Sequence, residues 1–145
     1  MKKYILLIAL AVSVLTAKAQ FNVDRLITSG KVALHYEDYV LSIQYFNQVI
    51  ALKPFLYEPW QYRAVAKFYL DDFVGAETDA SEAIALNPYI DILYDLRAIS
   101  RIRQDDYAGA IADYNKAIAI SPDTRNYWFN RAICMLNSKD YDDAL

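Results

Sequence analysis

The groups able to do chemistry are few. One cysteine, Cys134, and one histidine, His35, stand far apart in the chain. One of each cannot make an internal disulfide or a Cys/His metal cluster. His35 has neither a second histidine nor a cysteine near it, and imidazole without an orienting partner makes no triad. Asp71-Asp72 and Asp105-Asp106 look like acid–base pairs, yet adjacent side chains point in different directions. Both pairs stand just before apolar helical runs, where Asp caps free N–H groups at the positive end of a helix. The only glycines, Gly30, Gly75 and Gly109, are too scattered for a phosphate loop, and no serine-nucleophile elbow or zinc motif is present. These residues predict no enzyme, no cofactor and no metal.

Composition narrows the scaffold that must position any site. The 145 residues are 56% hydrophobic and 14% aromatic, which excludes disorder, and 13 Tyr outnumber 3 Gly and 4 Pro. So few turn-formers argue against an all-β chain and for helices. The net charge of −3 includes Lys2, Lys3 and Lys18; removing those three of the 15 basic residues leaves 12 against 18 acidic, a net of −6. No basic stripe exists to follow phosphates, so nucleic acid is not an expected partner.

The three lysines belong to a leader. Lys2-Lys3 precede an uncharged apolar run, Tyr4 to Leu15, and Ala17-Lys18-Ala19 supplies an A-x-A site before Gln20. The run is short of the roughly 20 residues a spanning helix needs, and no cysteine follows it for a lipid anchor. Residues 1–19 are therefore expected to be a signal peptide cleaved after Ala19, a retained anchor being the alternative. The protein is expected to be exported, to the periplasm or cell envelope of a Gram-negative-type bacterium or into the medium.

Everything beyond the leader follows a period of 34. Pro54, Pro88 and Pro122 end the apolar runs VIALKP, AIALNP and AIAISP. Glu37-Asp38-Tyr39, Asp71-Asp72-Phe73, Asp105-Asp106-Tyr107 and Lys139-Asp140-Tyr141 form a second series. Trp60, Tyr94 and Trp128 form a third, followed by Arg63-Ala64, Arg97-Ala98 and Arg131-Ala132. Between these marks, Ala110, Ile111, Tyr114, Ala117 and Ile118 recur at helical spacing. Each repeat thus reads as two antiparallel helices, in the clearest copy from about Trp60 to Leu70 and from about Phe73 to Leu86. Proline closes the second by pushing the preceding residue out of the α region.

This pattern resembles the tetratricopeptide-repeat family, from Val23 to Leu145. The matching residues are Trp60, Ala64, Ala76, Ala83 and Pro88, then Tyr94, Ala98, Ala110, Tyr114, Ala117 and Pro122. A weaker first copy has Leu26, Gly30, Ser42, Phe46 and Pro54. The resemblance implies an all-α fold, a right-handed α-α superhelix with repeats at 23–56, 57–90 and 91–124 and an incomplete one at 125–145. In place of the family Leu stand Arg63, Arg97 and Arg131. The small turn residue is replaced by Glu37, Asp71, Asp105 and Lys139, where Gly would adopt positive φ more easily. The incomplete copy, with no polar capping element, predicts an N-terminal piece of a longer protein.

The repeat assigns bland roles to several reactive groups. Cys134 shares its slot with Val32, Ala66 and Ser100, a packing slot for small residues. Tyr39, Phe73, Tyr107 and Tyr141 share another, and Tyr114 shares one with Phe46, so most aromatics are expected in the core rather than on a stacking surface. Arg63 and Arg97 precede Asp79 and Asp113 by sixteen residues, and where one changes so does the other: the first copy has Ser29 and Tyr45. We expect ion pairs Arg63–Asp79 and Arg97–Asp113 between the two helices of a repeat, setting register more than stability. Arg131 would need a partner at position 147.

By resemblance, first helices line a concave groove. The positions are Gln61, Val65, Phe68 and Tyr69, then Asp95, Ile99, Ile102 and Arg103, then Phe129, Ile133, Leu136 and Asn137. A mostly apolar lining with polar rim groups suits an extended peptide or partner helix, unless these side chains pack between repeats instead. The family's carboxylate clamp of paired Lys and Asn is replaced by Gln61, Val65, Asp95 and Ile99, which disfavours chaperone tails. The leading expectation is an exported, non-catalytic protein-interaction scaffold. Alternatives are a docking or sensing domain of a longer enzyme or membrane protein, and an element that self-associates through its open C-terminal end near Leu145.

Overall fold

The computed structural model describes residues 22–138, all helices and turns. The leader, Lys139 and Tyr141 lie outside the described residues. Helix α1 occupies residues 22–35, followed by α2 (Tyr39–Leu52), α3 (Tyr57–Tyr69), α4 (Phe73–Leu86), α5 (Asp91–Ile102), α6 (Tyr107–Ile120) and α7 (Arg125–Asn137). From α2 on each helix packs on the next, α3 also touches α5, and α1 meets α2 where Ser42 Oγ donates to the Gly30 carbonyl, so consecutive pairs stack into an all-α solenoid.

The two kinds of turn have different causes. Within a pair, the chain reverses through one residue of positive φ: Glu37 at 62°, Asp71 at 60° and Asp105 at 61°. There Asp72 N–H bonds the Lys67 carbonyl at 3.0 Å and Asp71 N–H the Phe68 carbonyl at 3.0 Å, the paired bonds of a Schellman ending. The following Asp then opens the next helix: Asp38, Asp72 and Asp106 accept from the N–H of Leu41, Gly75 and Gly109 at 3.1, 2.9 and 2.9 Å. Asp71 and Asp72 therefore have separate backbone duties, as do Asp105 and Asp106.

Between pairs, proline sets the break. Lys53, Asn87 and Ser121, each just before a proline, have φ of −140°, −145° and −130°, outside the helical region. The next first helix has no side-chain cap at Leu56, Ile90 or Thr124. A side chain from one turn further on secures the corner instead. Trp60 Nε1 donates to the Pro54 carbonyl at 3.0 Å, Tyr94 hydroxyl to Pro88 at 3.1 Å, and Trp128 Nε1 to Pro122 at 2.9 Å. Helix α3 begins at Tyr57, earlier than the expected Trp60, because Pro59 falls in its first turn, where a missing N–H costs nothing.

Small residues let the helices approach. Ala64, Ala66, Ala76, Ala80, Ala83, Ala98, Ala110 and Ala117 are fully buried, as are Phe46, Tyr114 and Cys134. In the first pair Gly30 meets the Phe46 ring so closely that an added Cβ would stand 2.7 Å from it. The Cys134 slot is buried at Ala66 and Ser100, but Val32 is half exposed, since no helix pair precedes it among the described residues. His35 is exposed at the end of α1, edge-on to Tyr36.

Candidate functional site

A pocket of about 200 Å³ opens between the two first helices α3 and α5. Gln61, Val65, Phe68 and Tyr69 line it from α3, and Ile92, Asp95, Leu96 and Ile99 from α5. Helical spacing explains the set: 61, 65, 68 and 69 lie on one stripe of α3, and 92, 95, 96 and 99 on one stripe of α5. Val65 and Ile99 are half-buried and also pack on Ala64, Ala80 and Leu96, so the pocket floor is part of the core between repeats. Tyr69 is exposed and stacks nearly parallel on Tyr39, centroids 5.0 Å apart.

The remaining expected groove residues are elsewhere. Ile102 packs against the buried cluster of Tyr94, Ala98, Tyr114 and Cys134, because its position at the end of α5 turns it toward α6. Arg103 lies at the rim, its guanidinium 4.6 Å from the Phe73 centroid and 3.6 Å from Asp71 Oδ1. Phe129, Ile133, Leu136 and Asn137 are exposed on α7, outside the pocket.

The walls are held by a charged lattice. Arg63 grips Asp79 with Nε to Oδ2 and Nη2 to Oδ1, both 2.7 Å; Arg97 grips Asp113 at 3.0 and 2.6 Å. Each carboxylate is essentially fully buried and takes a second cation one helical turn on: Lys67 at 2.9 Å from Asp79, Arg101 at 2.8 Å from Asp113. Each arginine also reaches back across the repeat boundary: Arg63 to Asn47 at 2.6 Å, Arg97 to Ser81 at 3.2 Å and Arg131 to Asn115 at 2.7 Å. The same guanidinium groups lie over the Trp60, Tyr94 and Trp128 rings at 4.9, 5.9 and 4.8 Å. Arg101 adds Glu77 at 2.9 Å, and Gln104 bonds the other Glu77 oxygen at 2.9 Å.

Asp95 stands apart from this lattice. Its Oδ1 is buried without a hydrogen bond of good geometry, and so is the hydroxyl of Tyr114, the nearest polar group that acts on it. Burial pushes the Asp95 carboxyl above its ordinary range; the Tyr114 hydroxyl opposes the rise, and the charge of Asp91 adds a smaller push upward. Tyr114 is in turn driven well above a normal phenol by burial and by the Asp95 charge. One turn earlier, Asp91 is the opposite case. Burial raises its pKa, but hydrogen bonds from Ser121, Tyr127 and the backbone outweigh that and leave it lowered. Tyr127 hydroxyl donates to Asp91 Oδ2 at 3.1 Å.

Comparison with known proteins bears on the architecture. No family model matches the chain, and no curated protein does either. Solved structures do. MamA superposes with a TM-score of 0.81 at 23% identity, over 91% of this chain and 77% of that one. The first TPR domain of Spaghetti (RPAP3), bound to the HSP90 peptide SRMEEVD, gives 0.77 at 22%, over 79% and 91%. The yeast Sti1 TPR2B domain, in complex with pHsp70, gives 0.72 at 19%, over 83% and 98%. The chain has the tetratricopeptide-repeat fold.

Within that fold, the sequence placed six of the eight pocket residues and missed Ile92 and Leu96. Ile92 lies one turn ahead of Asp95 and two ahead of Ile99 on the same stripe, a spacing that was legible. The second cations Lys67 and Arg101 were also missed, although they are 34 apart and one turn beyond Arg63 and Arg97. Asn47, Ser81 and Asn115 carry the same period, but a set mixing Asn with Ser gives no chemical signal until the arginines reach it. Among the described residues no group of His, Cys, Asp and Glu could hold a metal ion, and no helix is long and apolar enough to cross a membrane.

Proposed function

We propose that the chain is a non-catalytic protein-interaction scaffold that binds a peptide, or an extended segment of a partner protein, across its first helices. The observation that carries this reading is the pocket between α3 and α5. Its apolar stripe of Val65, Phe68, Ile92, Leu96 and Ile99 is held open by a rigid charged lattice behind it. At about 200 Å³ it is smaller than the roughly 300–1,000 Å³ of small-molecule sites, and it suits single side chains of a longer ligand. The similar structure bound to the HSP90 peptide SRMEEVD supports a peptide as the ligand. The absence of paired Lys and Asn at Gln61, Val65, Asp95 and Ile99 speaks for a ligand other than an acidic chaperone tail.

The test is peptide capture by the purified chain, read by calorimetry, with Val65→Glu and Ile99→Glu as groove variants. Saturable binding that both variants abolish supports the reading. Binding that neither variant alters would place the interaction elsewhere and overturn it. We further propose that the protein works outside the cytoplasm, on the strength of the n-region, apolar run and A-x-A site before Gln20. Export to the envelope or medium predicts that the processed protein begins at Gln20. Finding the intact leader on a cytoplasmic protein would count against it.

A further inference from the structure

Of four acidic side chains packed against the helices, Asp79 and Asp113 are buried and answered by cations. Asp79 has Arg63 and Lys67, Asp113 has Arg97 and Arg101, and Asp91 has the hydroxyls of Tyr127 and Ser121. Asp95 has no ion pair among the described residues, and its buried Oδ1 has only the Tyr114 hydroxyl beside it, short of good hydrogen-bond geometry. Asp95 lines the apolar pocket between α3 and α5. Arg103 at the rim does not serve it, being stacked on Phe73 and paired with Asp71. A carboxylate held in an apolar wall without a cation is costly to the fold, and a chain that supplies two cations each to Asp79 and Asp113 supplies none to Asp95.

We propose that the α3–α5 pocket selects a peptide segment in which an apolar side chain stands next to Arg or Lys, the cation pairing with Asp95. This rests on the peptide-binding reading above and names the ligand's chemistry. The apolar residue enters between Val65, Ile92 and Ile99. The neighbouring cation meets the Asp95 carboxylate, where the apolar wall strengthens the pairing and gives specificity against neutral and acidic segments. Tyr69, exposed beside the pocket on Tyr39, offers its face to the stem of the same side chain.

Selection from a random dodecamer display library on the immobilised full chain tests this, followed by anisotropy of the selected peptides against variants. The expected pool is enriched in Arg or Lys beside Leu, Ile or Phe. Asp95→Asn should weaken a selected peptide about tenfold and flatten its salt dependence, while Val65→Glu abolishes binding. A pool without Arg or Lys, an acidic pool, or an affinity unchanged in Asp95→Asn overturns the inference and leaves peptide binding standing. A library that yields no groove-dependent peptide overturns both. Asp95→Asn removes a charge the fold does not use, and Asp95→Glu, which restores the charge, should recover part of the affinity.

Discussion

Arg63 meets Asp79 through two parallel N–H···O bonds of 2.7 Å, sixteen residues apart, and the same guanidinium continues to Asn47, sixteen residues the other way. One side chain therefore ties its own second helix to the second helix of the preceding pair. The tie is geometric as much as energetic: a bidentate fork fixes both the distance and the rotation of three helices. The Trp60 ring beneath the guanidinium and its bond to the Pro54 carbonyl extend the same unit to the corner between pairs.

Replacing Arg63 by Leu, the residue usual at this place in the fold, should destabilise the chain by about 3 kcal/mol. It leaves a buried carboxylate with Lys67 as its remaining partner. Arg97→Leu should behave alike. Arg131→Leu, whose bond is to the exposed Asn115, should cost under about 1 kcal/mol. Urea denaturation of the three variants checks the ranking, and equal losses at all three would show that the Asp partner is irrelevant. A double variant Arg63→Leu/Asp79→Leu should lose less than the sum of the two single losses.

The corner aromatic is tested by removing only its polar atom. Tyr94→Phe keeps the ring over Arg97 and deletes the bond to the Pro88 carbonyl, at an expected cost of about 1 kcal/mol. Trp60→Phe should cost more, since it loses the bond and part of the ring. Thermal unfolding reads both, and a Tyr94→Phe protein as stable as the parent would remove the hydrogen bond from the account of the corner.

Glu37, Asp71 and Asp105 occupy left-handed backbone that glycine adopts without strain. Glu37→Gly should raise stability by about 0.5–1 kcal/mol, the relief exceeding the extra chain entropy of glycine. Glu37→Val, branched at Cβ, should lower it by at least as much. The opposite signs in one melting experiment decide the point; if glycine also destabilises, the turn is not strained.

The fold was legible because a repeat states it several times over. Three series with one period located the corners, and the covarying Arg–Asp spacing named the pairs whose distances are now 2.6–3.0 Å. Register on a helix was harder to read. The groove stripe was carried to Ile102 by offset alone, while its burial depends on what packs beside the helix end, which a period does not contain. Val32 shows the same limit: its slot is buried in later copies and half exposed in the first. The isolation of Asp95 was invisible for a related reason, since a missing cation is a property of neighbours in space.

Asp91 and Asp95, one turn apart on α5, should respond oppositely to the same substitution. Asp95 has a raised pKa in the fold, so the folded chain binds its proton more readily than the unfolded chain. Its charge therefore lowers stability as pH rises through and above that pKa, and the penalty is absent below the unfolded value of about 3.9. Asp91 has a lowered pKa, so its charge adds stability above about 3.9, and this is lost as pH falls through the folded value. At pH 7, Asp95→Asn should melt higher than the parent and Asp91→Asn lower. Both differences should shrink toward zero as the medium is acidified below the carboxylate range. If Asp95→Asn melts lower at pH 7, the carboxylate has a partner in the fold and is not held in reserve for a ligand's cation.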